Sequence, residues 1–135
     1  MKEVRIVGLD KRGRIVIPQI IRKSIGLETN SQIMIIADSD SKTIKIQPIG
    51  LSGMSKPMEY KITMTDSPGA LGKIATAFGE LGISLVYGEA ISLVKDELAV
   101  WTVIGPAPES TSLEELKEAL KEKGDAKKVE IKPLE

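Results

Sequence analysis

"LDKRGRIVIPQIIRKSIGL", Leu9–Leu27, places a turn, a short apolar run and a helix start in immediate succession. Asp10 and Gly13 are residues that tight turns favour. Ahead of that turn, "EVRIVG" alternates Val4 and Ile6 with Arg5 and Val7; behind it, "RIVIP" is apolar, so the flanks read as two strands of a hairpin. Pro18 suits a first helical position and Gly26 the residue after a last turn, which predicts a helix over Pro18–Ile25. Ile21 and Ile25 share one face of it, and Arg22 and Lys23 point elsewhere. After "LETNS", the segments "QIMIIA" and "TIKIQP" flank the turn "DSDSK", completing the order β-β-α-β-β.

A unit this small buries little, and each hairpin leaves open edges. A dimer with shared or exchanged strands would solve both problems.

The same stretch concentrates charge. Lys11, Arg12, Arg14, Arg22 and Lys23 face a single acidic residue, Asp10, between Leu9 and Lys23. Residues 1–50 hold nine Lys/Arg against five Asp/Glu and the remainder ten against fourteen, so a formal net charge of zero splits into +4 and −4. Clustered cations gain affinity for duplex DNA by displacing condensed counterions. A solvated charged face is the plainer account of charge alone. With no aromatic residue in this half, backbone contact with a duplex fits better than base stacking on a single strand.

"PIGLSGMSKPME", Pro48–Glu59, interrupts the apolar periodicity with Pro, Gly and Ser. We therefore divide the 135 residues into a first domain at 1–49, a linker at 50–57 and a second domain at 58–135. The second domain opens with "EYKITMT", a half-buried strand. "DSPGALGKIATAFGELG" follows, with Leu71, Ile74, Ala75, Phe78 and Leu81 at helical spacing. Strands are expected over Ile83–Val94 and Leu98–Ile104, joined through "KDE". Ser112 and Glu115 then form a capping box ahead of Leu113, Leu116 and Leu120. A last strand carries Val129 and Ile131. The order β-α-β-β-α-β is that of a ferredoxin-like sheet with both helices on one face, and the apolar side chains on both sides of Leu98–Ile104 suggest a partner on the other. The fold class is α+β.

The chain has no cysteine and no histidine, which removes disulfides, thiolate chemistry, Ser-His and Cys-His pairs and the commonest metal ligand. "DSPGALGK" lacks the spacing of a phosphate-binding loop, with Ile74 where Ser or Thr would be needed. "DSDSK" lacks the rest of a calcium loop. The carboxylates from Glu114 to Glu122 alternate with lysines as on an exposed helix face. The expectation is a non-enzyme with no cofactor and no metal. No segment has the roughly 20 apolar residues of a membrane helix, so the expected location is cytoplasmic, with no membrane partner.

Those residues carry two resemblances. "LDKRGRIVIPQIIRKSIGL" resembles the signature of the AbrB/SpoVT swapped-hairpin family of prokaryotic DNA-binding domains: Asp, two residues, Gly-Arg, an apolar-Val-Ile-Pro run, a basic pair and apolar-Gly-apolar. It implies an intertwined homodimer presenting basic side chains to duplex DNA. Arg14 matches the Gly-Arg step and Arg22 and Lys23 the basic pair; Lys11, Arg12 and Arg5 are further local charges. Val7 and Gly8 stand where members often carry a basic residue, and Asn30 stands where a Gly-Asp pair is common, a place Asn serves by tolerating left-handed backbone.

"DSPGAL" within β-α-β-β-α-β, followed by "GISL", is similar to the ACT domain family, regulatory modules that pair through their sheets and often bind an amino acid at the dimer interface. The resemblance implies a ligand loop of Asp66, Ser67, Pro68, Gly69, Ala70 and Leu71 facing Ser84 and Val86. Ser84 stands where Asn is frequent. Asp66 would hold a ligand ammonium and the helix start its carboxylate. From the residues alone, Asp66 or Ser67 caps the helix and Pro68 enters its first turn.

Together these imply a dimeric or higher-order transcriptional regulator with an amino-acid effector. The competing expectations are an antitoxin-like module that binds a protein and a regulatory subunit of a biosynthetic enzyme, with the second domain serving dimerisation only.

Overall fold

The computed structural model describes residues 2–49 and 56–134. The chain divides into two units, Met1–Ser52 and Gly53–Glu135, which are described separately. Residues 50–55 of the expected linker lie outside the described residues, and Pro57, expected in the linker, already begins a strand.

The N-terminal unit contains α1 (Gln19–Ile25), β1 (Ile33–Asp38) and β2 (Thr43–Pro48). β1 and β2 form an antiparallel ladder from Ile33 opposite Pro48 to Asp38 opposite Thr43, as their alternation predicts. Asn30, in the turn three residues before β1, has φ 67°, the left-handed backbone foreseen for it. α1 starts one residue later than predicted: Pro18 is extended (ψ 145°) and caps it without a side-chain bond, and Gly26 closes it with φ 79°.

The strands expected around Val4–Val7 and Arg14–Ile17 do not form within one chain. Among the described residues a single backbone–backbone bond, Asp10 N–H to the Arg14 carbonyl at 3.0 Å, joins their bases. A lone two-stranded ribbon without a covering surface is marginal in water, and these segments find no third strand in their own chain. Their apolar side chains are uncovered: Ile6 is 99% exposed, Val4 79% and Val16 75%. None of the unit's described residues is buried.

The C-terminal unit is built from β3 (Pro57–Met64), α2 (Ala70–Glu80), β4 (Tyr87–Val94), β5 (Leu98–Pro106), α3 (Leu113–Glu122) and β6 (Lys128–Pro133). The sheet order is β4-β5-β3-β6, antiparallel throughout. β3 turns Met58, Tyr60, Ile62 and Met64 to the core every second residue. Ile74, Ala77 and Phe78 from α2 and Leu116 and Leu120 from α3 meet them. Phe78 sits at the centre, edge-on to Tyr60 at 5.2 Å and to Trp101 at 6.3 Å between ring centroids.

Three expectations about this unit change. Leu71 and Leu113, assigned to the apolar stripes, are 41% and 40% exposed, because each lies in a first helical turn at the rim of the sheet. Ala75 is exposed also, its place in the core being taken by Ala77. β4 begins at Tyr87 rather than Ile83; ahead of it Val86 donates to the Ile104 carbonyl of β5 at 2.8 Å, and Ser84 and Leu85 pack beside Gly105. Ser112 does cap α3, accepting from Glu115 N–H at 3.1 Å.

The sheet face opposite the helices is divided. Cross-strand pairs Tyr87–Ile104 and Ile91–Val100 put apolar side chains on its β4–β5 half, on either side of the polar pair Glu89–Thr102; Glu59, Lys61, Lys128, Glu130 and Lys132 make the β3–β6 half charged. So the expected apolar second face is present only at Tyr87–Ile104 and Ile91–Val100, with Glu89 and Thr102 between them.

Candidate nucleic-acid interface and effector loop

The basic turn is organised by its one acidic residue. Asp10 Oδ1 accepts from the backbone N–H groups of Arg12 and Arg14, both at 2.9 Å, and its Oδ2 accepts from Arg14 Nε at 2.8 Å. Gly13 N–H donates to the Asp10 carbonyl at 3.0 Å, and its φ of 75° supplies the left-handed step on which the turn closes. The bonds from Arg14, backbone then side chain, hold the Asp10 carboxyl below its ordinary range, with Arg12 N–H adding to them. In the sequence Asp10 stood out as a turn residue, as the first position of the signature and as the exception in a basic run. Its spacing of four from Arg14 and three from Gly13 was the available signal.

The six expected DNA-binding residues fall into two groups. Arg5 pairs with Glu3 at 3.1 Å and donates to the Val4 carbonyl at 2.9 Å. Arg14 pairs with Asp10. Arg22, partly buried, donates through Nη1 to the Ile17 carbonyl, tying α1 to the segment that leads into it. Lys11, Arg12 and Lys23 make no side-chain bond or ion pair among the described residues. Lys11 and Arg12 occupy the turn itself, and Lys23 lies in the last turn of α1.

The effector loop departs from its expected capping. Neither Asp66 nor Ser67 caps α2 through its side chain: Gly69 is the cap residue, with φ 87°, and Pro68 precedes the helix. The Ser67 carbonyl accepts from Ala70 N–H at 3.2 Å. The N–H groups of Leu71 and Gly72 find no partner among the described residues. A Cβ added at Gly69 would meet nothing within 4 Å, so the loop is open there.

Asp66 reaches across to the β4–β5 hairpin. Its Oδ2 accepts from Ser92 Oγ at 2.7 Å and from Asp96 N–H at 2.9 Å. These two bonds, the Ser92 hydroxyl first, hold its carboxyl below the ordinary value of 3.8, with the charge of Lys95 adding to them. Ser92 and Asp96 were not foreseen, since contacts over 26 and 30 residues leave no local mark. A group with a depressed folded pKa stabilises above its unfolded pKa, and that contribution is lost as pH falls through the folded value. Asp66→Asn is accordingly expected to lose stability at neutral pH and to flatten the acid limb below pH 3.8, as read by thermal melts over a pH series.

One chain does not bring the whole expected ligand set together. Asp66 lies at the Ser92–Ala99 end of the β4–β5 pair, and Val86 at the Ile104 end. These ends are five residues apart along β5, roughly 17 Å at the usual rise of a strand.

Among the described residues no group of three or more carboxylates is placed to hold a metal ion, and no helix is long and apolar enough to cross a membrane. No family model matches this chain, and no curated protein matches it.

Proposed function

We propose that this chain is a transcriptional regulator of the swapped-hairpin type, binding duplex DNA as a homodimer, with an ACT-type C-terminal unit that responds to an amino acid. The observation that carries it is the basic turn: Lys11 and Arg12 stand on a loop closed by Asp10, in a unit none of whose described residues is buried. A second copy would supply the strands that Val4–Val7 and Arg14–Ile17 lack, and it would double the number of cations facing one duplex.

The C-terminal unit favours pairing at one edge. β6 carries Lys128, Lys132 and Pro133, features that discourage strand addition, whereas β4 exposes Ile91 at 52% and Leu93 at 57%. Two β4 edges joined antiparallel about a two-fold axis would set the start of one β4 beside the end of the other. That arrangement brings Ser84 and Val86 of one copy toward Asp66 of its partner. It reconciles the ligand set with the separation found in one chain, and it places the effector between subunits.

Two experiments test this proposal. Retention on immobilised duplex DNA at low salt, lost with rising salt, is expected; no retention at low salt contradicts the DNA-binding role and favours a protein-interaction module. A thermal-shift screen over the amino acids is expected to find one that stabilises the protein by about 2.7 kcal/mol at a hundred times its dissociation constant. No response to any of them leaves the C-terminal unit as a dimerisation module.

A further inference from the structure

Within the DNA-binding role proposed above, on which this rests, the geometry points to a division of labour inside the basic cluster: Lys11, Arg12 and Lys23 contact phosphates, while Arg14 and Arg22 are positioning residues. It differs from the family resemblance, which implies Arg14, Arg22 and Lys23. A phosphate gains from a cation by releasing the counterions that the cation replaces, and a cation already neutralised by a carboxylate has less to offer. Arg14 Nε is 2.8 Å from Asp10 Oδ2 and the same carboxylate holds Arg14's own N–H, so charge and backbone are fixed together. An approaching phosphate would also meet the Asp10 charge.

Arg22 is held differently. Through Nη1 its guanidinium donates to the carbonyl of Ile17, the residue before Pro18, and so ties the start of α1 to the segment that precedes it. One residue on, Lys23 is exposed and makes no such bond. Asp10 and Arg22 thus set the turn and the helix in place, and the three remaining cations project from the frame they make.

The test is the salt dependence of binding to a duplex, read by fluorescence anisotropy on the full-length protein. Each phosphate contact contributes about 0.9 to the slope of log K against log salt, and each substitution acts twice in a two-fold dimer. Lys11→Gln, Arg12→Gln and Lys23→Gln are each expected to reduce the slope by about 1.8. Arg14→Gln and Arg22→Gln are expected to weaken binding by one factor at all salt concentrations, leaving the slope in place, and Arg14→Lys is expected to behave as Arg14→Gln does.

Asp10→Asn supplies the converse and keeps an oxygen acceptor for the turn. It releases Arg14, so the slope steepens, and the added steepness disappears in Asp10→Asn/Arg14→Gln. A slope reduced by Arg14→Gln and restored by Arg14→Lys overturns the division, as does an Asp10→Asn slope that Arg14→Gln leaves unaltered. Failure of the unsubstituted protein to bind any duplex would instead overturn the DNA-binding role, so the two failures are distinct.

Discussion

Ile6→Asp is expected to dissolve the N-terminal unit and leave the C-terminal unit folded. In one isolated chain the change would be nearly silent, because Ile6 is 99% exposed and surface substitutions usually cost less than about 0.5 kcal/mol. In a dimer with exchanged strands, Ile6 and Val4 form the apolar face that covers the shared core. Burying a side chain of this size contributes about 1.5–3 kcal/mol, and a two-fold dimer loses it twice. A carboxylate must also be desolvated there or remain outside. The combined loss exceeds what a unit with no buried residue among those described can absorb. Sedimentation velocity and circular dichroism would record a fall in strand content, loss of the N-terminal dimer contact and loss of duplex binding. An unchanged spectrum with unchanged DNA affinity would show that Ile6 is as exposed in the working protein as in the single chain.

Phe78→Ala has the second large effect, confined to the other unit. Phe78 is 1% exposed and is the one ring that touches both Tyr60 and Trp101, so its removal opens a cavity between α2 and the sheet. Truncations of this kind cost about 3–5 kcal/mol, a large share of the stability of a domain of this size. Chemical denaturation followed by Trp101 fluorescence should show a midpoint shifted far down. If the N-terminal unit pairs on its own as proposed, duplex binding at low temperature should be weakened less than stability.

The elements whose stabilising contacts are local were legible from the sequence. Alternation along Tyr60–Met64 and Ile33–Ala37, the Ser112 cap of the Ser112–Glu115 pair and the left-handed step at Asn30 each report a backbone state through neighbouring residues, and each is present. Where the partner lies elsewhere, the sequence misled. Helical spacing put Leu71 and Ala75 in the core, yet period alone does not say how far a helix overhangs its sheet, and both are exposed. "DSP" looked like a cap because Asp and Ser favour that role; Asp66 instead serves a hairpin 26 residues away. The first hairpin was the converse case. Its pattern is that of strands, but the pairing that would make them strands is missing from one chain.

The candidate site followed the same rule. Charge clustering between Leu9 and Lys23 was visible at once, and which cations are held was not, since Arg22's partner is a backbone carbonyl and Arg14's is the single acid in the run.

The central claim is that residues flanking the basic turn become strands only when two chains share them. Amide hydrogen exchange over Val4–Val7 and Ile15–Ile17, measured across a dilution series, tests it most directly. Slow exchange at concentrations where the protein is dimeric, rising to the rate of an open chain as the dimer dissociates, is the predicted result. Exchange at the open-chain rate in the fully dimeric protein would contradict it.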